Sequence, residues 1–442
     1  MNWSLLNVLQ NFTYLRYSLG IMMMFNGFPL IFFIRDTLKI GPASSVFTAA
    51  FMILALLLMT PTHLFKRLYK PNPILFNLGV GFLFIAFYYF WFINASGKPV
   101  ADIGNFVFTG AFIVLLLHMP NDIRDTLLIM IFLVSLFANL TLVYSLLTDP
   151  NWTPGMRAAV NFSNEEAQPG GNPHITARNG VICLVSAMVL LSQTKGVLTK
   201  IFLFFCALFS IGVVILSLAK SSYLGIGLMI GAYLIFKFKS RNILTAIGGL
   251  FKFSNLLILV AILIGINYFL SRYGDIYYLV MGYWDVFENR IMDVIFTSTG
   301  LRLTETADVD HSAMGRVSGF GTFVETFYSW HAFLGRGYKY EYLDVPILES
   351  FVNHGIIGFI FFAAFNIFLF IFAIREVKRS TNTLSTFLAY FFISMSILLA
   401  TGGRPYDVTF WFPYAVMIRF LGINYSSEPH PAPEEKQLSP AI

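Results

Sequence analysis

Residues 344–379 read DVPILESFVNHGIIGFIFFAAFNIFLFIFAIREVKR. From Pro346 the run stays apolar for longer than the roughly 20 residues that a bilayer core requires. Its polar groups gather at the head, at Asp344, Glu349 and His354, and it closes on Arg375, Lys378 and Arg379. Such a segment spans a membrane with a polar mouth on one side and a basic foot on the other. The span is set at 346–374.

Working outward, the same reading finds apolar runs at 13–34, 44–65, 74–95, 102–119, 126–147, 176–193, 199–218, 222–237, 253–271, 383–401 and 407–421. The expected fold class is therefore all-α, a polytopic membrane protein of about twelve transmembrane helices. The whole 442-residue chain agrees: 57% of it is hydrophobic and 12% charged, with a mean hydropathy of +0.71. Soluble domains carry about 25% charged residues, so an ordinary soluble enzyme is excluded. The net charge of +6 does not signal nucleic acid, because much of the Lys and Arg sits in short loops between apolar runs.

Those loops set the topology. With the N-terminus inside, the inner loops carry Lys66, Arg67, Lys70, Arg124, Lys195, Lys200, Lys237, Lys239, Arg241, Lys252, Arg375, Lys378 and Arg379. The short outer loops carry Arg35, Lys39, Lys98, Lys220 and Arg404. Both termini are expected inside, and no cleavable signal peptide is read at MNWSLLNVLQ. The organisation is then 1–270 for nine helices, with an outer cap loop at about 148–178. A large helical outer loop follows at 271–345, three helices at 346–421, and a disordered tail at 422–442. Within the large loop, DIYYLVMGYWDVFENRIMDVIF reads as an amphipathic helix on the membrane surface. SAMGRVSGFGTFVETFYSWHAF reads as a second helix, although Gly319–Gly321 and Gly335–Gly337 both look like turn glycines. Cys183 and Cys206 lie in apolar runs and show no metal spacing.

Nucleotide and metal chemistry find no footing. There is no Walker A run, no glycine fingerprint after a strand and no HExxH, and Asp308-Val309-Asp310 reads as a solvated loop. What stands out is cationic groups at outer helix ends: Arg178, Lys220, Arg316, Arg336 and Arg404. Each alone is an interface anchor that snorkels. Together they would make an anion site for a lipid phosphate or pyrophosphate. Glu341, Asp344 and Glu349 accompany them, with Asp344 either a general base or, with Pro346 opening the helix, an N-cap. His331 and His354 lie nearby, while His174 and His311 fall in loops.

At these residues the chain resembles the O-antigen polymerase and ligase superfamily of bacterial inner membranes. LSLAKSSYLGIGL (216–228) is similar to the segment where a family helix ends at Ser-Arg, with Lys220 in the Arg position. GRVSGFGTFVETFYSWHAFLGRG (315–337) resembles the pattern of an Arg leading a loop helix, matched by Arg316 and by Gly335-Arg336-Gly337. In DVPILESFVNHGIIG (344–358), Gly355 and Gly358 match the ligase Gly-x-x-Gly, and Asp344 stands where ligases carry His. That departure favours a polymerase. The resemblance implies a GT-C-like membrane glycosyltransferase with its site facing the periplasm. Its donor and acceptor would be polyprenyl-pyrophosphate-linked glycans within the lipid, and a chain-length regulator is the further partner implied. No nucleic acid, metal or other cofactor takes part. Asp344, Arg316 and Lys220 would be catalytic, and Arg178, Arg336, Arg404, Glu341 and Glu349 would bind the pyrophosphate and sugar. A ligase acting on lipid A core or protein differs only in acceptor. A transporter or lipid-linked sugar flippase would instead need charges along a midplane path.

Overall fold

The computed structural model describes residues 5–42, 44–61, 68–150, 173–237 and 311–423, with isolated positions within 152–158 and 260–288. Among them the chain is all-helical. Eleven of the expected spans meet a helix: α1 (Leu5–Asn26) with α2 (Phe28–Phe32), α3 (Ser45–Met59), α4 (Pro73–Phe92), α5 (Pro99–Leu117), α6 (Arg124–Thr148), α7 (Pro173–Gln193), α8 (Val197–Ser217), α9 (Lys220–Phe236), α12 (Pro346–Arg379), α13 (Thr383–Met395) with α14 (Leu398–Thr401), and α15 (Val408–Phe420). Between them, in the large loop, lie α10 (His311–Phe327) and α11 (His331–Leu334). The span at 253–271, the surface helix DIYYLVMGYWDVFENRIMDVIF, Asp308 and Asp310, and the tail from residue 424 fall wholly or largely outside the described residues.

Seven of these helices are long and apolar enough to cross a membrane, and an eighth span arises if the pair Asn11–Asn26 and Phe28–Thr37, bent by 82°, counts as one. α3, α9 and α15 are shorter apolar helices. The chain is a polytopic membrane protein. Its outward faces carry bare apolar side chains such as Phe84, Phe137, Phe205 and Ile367, which only lipid can cover.

Local chemistry explains the helix ends. Proline opens α4, α5 and α12 at the first helical positions, where its missing N–H costs nothing. Asn72 and Asn382 cap α4 and α13 through their side-chain oxygens. α8 closes on Leu218 at φ 51°, so the turn into α9 is only two residues long.

Two interior breaks shape one end of the bundle. α12 is interrupted at Gly355 (φ 64°, ψ −168°), which frees carbonyls of the preceding turn. The Gly335-Arg336-Gly337 turn takes them: Arg336 N–H donates to Val352 O at 2.8 Å and Gly337 N–H to Asn353 O at 3.0 Å. The approach is closed to larger residues, since a Cβ on Gly335 would lie 2.5 Å from Asn353 O and one on Gly355 2.3 Å from Phe333 O. The second break separates α13 from α14 at Ser396 and Ile397. Gly319 and Gly321, expected in a turn, lie inside α10. Gly319 there lets Leu343 approach, with a built Cβ only 3.1 Å from its Cδ2.

The loops meet at two ends of the bundle. At one end Lys237 meets Ser380, Asp125 meets Thr383, and Asn121 meets Arg419. At the other, Tyr338 pairs with Ile93, Lys339 with Asp102, and Arg404 with Glu349.

Candidate functional site

α7 begins at Pro173, so His174 and Arg178, four residues apart, share one face of its first turns. The tight turn after α8 delivers the start of α9 against that face, and Ser221 Oγ lies 3.3 Å from His174 Nδ1. With the broken end of α13–α14 they border a small, half-open cleft of about 20 Å³, lined by His174, Arg178, Ser221, Ser222, Ser394 and Leu398 among others.

Arg178 is the centre of this cleft. It is only 9% exposed. Its Nη1 donates to Thr409 O at 2.7 Å and its Nη2 to Asn26 Oδ1 at 3.3 Å, and its buried Nε has no hydrogen-bond partner. A chain of neutral amides holds the guanidinium from behind. Asn26 Nδ2 donates to Asn179 Oδ1 at 2.7 Å, Asn179 Nδ2 to Asn139 Oδ1 at 2.7 Å and to Ser135 O at 3.0 Å, and Asn139 Nδ2 to Ser210 Oγ at 3.4 Å. Every amide accepts from one side and donates to the next, which fixes all their orientations. No carboxylate pairs with Arg178 among the described residues. A buried cation without a counter-charge is costly, and Arg178 lines the cleft beside the N-terminus of α9, where the N-cap Ala219 supplies no side-chain bond. Backbone amides and helix dipole there favour an anion.

A second cluster sits at the mouth of α12. Glu349 is fully buried and its carboxylate is saturated with donors. Oε1 accepts from Tyr406 OH at 2.8 Å, Arg404 Nη1 at 3.2 Å and Asn353 Nδ2 at 3.3 Å, and Oε2 accepts from Leu343 N–H at 3.3 Å. Arg404 also lies 4.9 Å above the Tyr342 ring, and Tyr342 OH donates to Asp344 Oδ1 at 2.8 Å. Burial first, and then this bond to Asp344, push the Tyr342 phenol above its ordinary range, so it remains a donor. Asp344 is not the N-cap: that position is Val345, and Asp344 adopts φ 57°. Pro346 does open the helix, but the left-handed step turns the Asp344 carboxylate away from the helix amides and toward Gly402, whose built Cβ would lie 3.5 Å from Oδ1.

The expected site residues thus divide. Arg178 lines the cleft, and Lys220 opens α9 directly before the lining residue Ser221. Arg404, Glu349 and Asp344 share the second cluster, and Glu341 borders it, accepting from Thr322 Oγ1 at 3.0 Å. Arg336 is brought in by its backbone; its side chain turns to Glu325 at 3.7 Å and to Tyr340 OH at 3.4 Å. Arg316 lies in α10, and its side chain is outside the described residues. His331 lies 3.3 Å from Ser329 Oγ. His354 is fully buried among the rings of Phe82, Tyr89, Tyr338 and Tyr406, with neither ring nitrogen hydrogen-bonded. Sequence reasoning missed His174, Tyr406, Asn353 and the amide chain. The signal for His174 was available, a His and an Arg at helical spacing at the head of an apolar run.

No protein-family model matches the chain, and no curated protein or solved structure matches it either.

Proposed function

We propose that the chain is a GT-C-like membrane glycosyltransferase of the bacterial inner membrane. It joins polyprenyl-pyrophosphate-linked oligosaccharide units at its outer, periplasmic end. The observation that carries this reading is Arg178: a buried guanidinium with an unpartnered Nε, in the lining of a cleft that also borders the start of α9. That is the environment a pyrophosphate leaving group needs as its charge develops. A carboxylate lies close by. Leu398, at the start of α14, lines the cleft, and a Cβ built on Gly402, just past the end of α14, would lie 3.5 Å from Asp344 Oδ1.

In the proposed step, the acceptor hydroxyl attacks the anomeric carbon of the donor sugar. The C1–O bond breaks and the pyrophosphate leaves with the electron pair toward Arg178 and Lys220. The hydroxyl proton passes to Asp344. A single displacement inverts the anomeric centre. Glu349 and Arg404, which the sequence had suggested as substrate ligands, engage each other and hold the 341–345 and 402–407 loops in register around Asp344.

Reconstituting the protein in liposomes with lipid-linked repeat units tests this. Wild type is expected to lengthen the lipid-linked glycan without a nucleotide sugar. Asp344→Asn and Arg178→Gln should stop lengthening while the protein stays folded. Normal lengthening by both variants would exclude the assignment.

A further inference from the structure

At the mouth of α12 one hydrogen bond ties a side chain that the proposed displacement does not use to the carboxylate that it does. Tyr342 OH donates to Asp344 Oδ1 at 2.8 Å. Asp344 stands in a loop on a left-handed step, at φ 57°, where no regular element fixes the rotation of its carboxylate. Tyr342 is itself held. The Arg404 guanidinium lies 4.9 Å from the centre of its ring. Arg404 Nη1 in turn donates to the fully buried Glu349 at 3.2 Å and to Tyr406 OH at 3.0 Å. An ion pair, a cation–π contact and a hydrogen bond therefore run in series from a carboxylate closed to solvent to one beside a half-exposed ring. Burial, and then the bond to Asp344, raise the Tyr342 phenol above its ordinary range, so it stays protonated and donates.

We propose that Tyr342 is a positioning residue for Asp344: its hydroxyl sets the rotation of the carboxylate and so the direction in which the second oxygen meets the acceptor hydroxyl. This rests on the reading of Asp344 as the base of the displacement. In that step the acceptor oxygen bonds to C1 and the C1–O bond to the pyrophosphate breaks, its electron pair leaving with the phosphate oxygen. The acceptor proton passes to Asp344, and Tyr342 keeps its own. A bond donated to Oδ1 takes some basicity from the carboxylate and gives it a fixed aim. Aim counts for more, because a misplacement of about 1 Å costs a rate of about a hundredfold. A Tyr342 that only buttressed its loop would act independently of Asp344, and the two losses would multiply. A positioning Tyr342 has nothing left to aim once the base is gone, so the two losses do not combine.

The test is steady-state and single-turnover lengthening by the purified full-length protein in liposomes. The probe is the polyprenyl-pyrophosphate-linked single repeat unit extracted from cells that lack the gene. Tyr342→Phe keeps the ring under Arg404 and removes only the hydroxyl. It is expected to elute as wild type on gel filtration, to lower kcat by about tenfold to a hundredfold and to leave KM unchanged. The double variant Tyr342→Phe with Asp344→Asn should be no slower in single turnover than Asp344→Asn alone. An unchanged kcat in Tyr342→Phe, or a loss confined to KM, overturns the role of Tyr342 and leaves the glycosyltransferase reading standing. So does a double variant slower than Asp344→Asn by the full Tyr342→Phe factor, and so does a Tyr342→Phe that fails to fold, since the hydroxyl is then structural. Asp344→Asn as fast as wild type overturns the base and its positioning residue together. Wild type that does not lengthen the probe overturns the reading as a whole.

Discussion

Arg178 is oriented entirely by neutral acceptors, the Thr409 carbonyl and the Asn26 amide, so its full charge is left for a ligand. The amide chain behind it has no slack. Replacing Asn179 with Leu removes the donor to Asn139 and the acceptor for Asn26 together. Each orphaned group costs about 1–3 kcal/mol, and unfolding of the purified variant in detergent should report a loss of that order or more. Glu349 and Asp344 separate in the same way by their surroundings. Glu349→Ala breaks a buried pair with Arg404 and should cost about 3–5 kcal/mol of stability. Asp344→Asn should be folded and expressed normally, because asparagine tolerates φ 57° and still accepts from Tyr342. Asp407 gives a pH signature. Burial raises its carboxyl above the usual range despite the Arg404 N–H and Lys339. The folded state therefore binds this proton more tightly than the unfolded chain, whose carboxyl sits at about 3.9. Wild type loses this contribution as pH rises through the folded value. Asp407→Asn, which keeps an acceptor for the Arg404 N–H, should melt higher than wild type near neutral pH. The difference should vanish below about pH 4.

At the scale of elements, the fold rests on one backbone joint, the Gly335–Gly337 turn seated in the break of α12. Gly355→Ala and Gly335→Ala each combine a positive φ with a Cβ inside 2.6 Å of backbone, and neither should yield folded protein on gel filtration. Gly321→Ala, inside α10 with open space around it, should fold and serve as the control. Helix placement was legible because the bilayer demands long apolar runs, and proline marks the starts of α4, α5 and α12. Less legible was anything that depends on one helix meeting another. The break at Gly355 reads as an ordinary glycine until the turn that fills it is in place. Asp344 reads as a cap because sequence spacing cannot show a left-handed step. The Asn26–Asn179–Asn139 chain joins three runs far apart in the sequence. The outer clustering of Arg404, Glu349 and Asp344 was readable from loop positions alone. Their division of labour was not, because it depends on which carboxylate is saturated.

The molecule as a whole is a bundle with two chemically different ends. One carries the Lys237–Ser380, Asp125–Thr383 and Asn121–Arg419 contacts. The other gathers the cleft, the α12 mouth and an aromatic fringe that includes Tyr88, Trp91, Tyr328 and Trp330, side chains suited to the headgroup layer. Single cysteines should report this directly: at the exposed Tyr328, labelled by an impermeant reagent in intact spheroplasts, and at the exposed Arg379, labelled only after the membrane is opened. The central claim, that the outer end lengthens lipid-linked glycans, is tested most directly by deleting the gene in its own cell and analysing the polyprenyl-linked sugars by mass spectrometry and leaflet-selective digestion. The account predicts that long polymer disappears and single repeat units accumulate on polyprenyl pyrophosphate in the outer leaflet, with wild type but not Arg178→Gln restoring the polymer. Unchanged polymer, or units trapped in the inner leaflet, would contradict it.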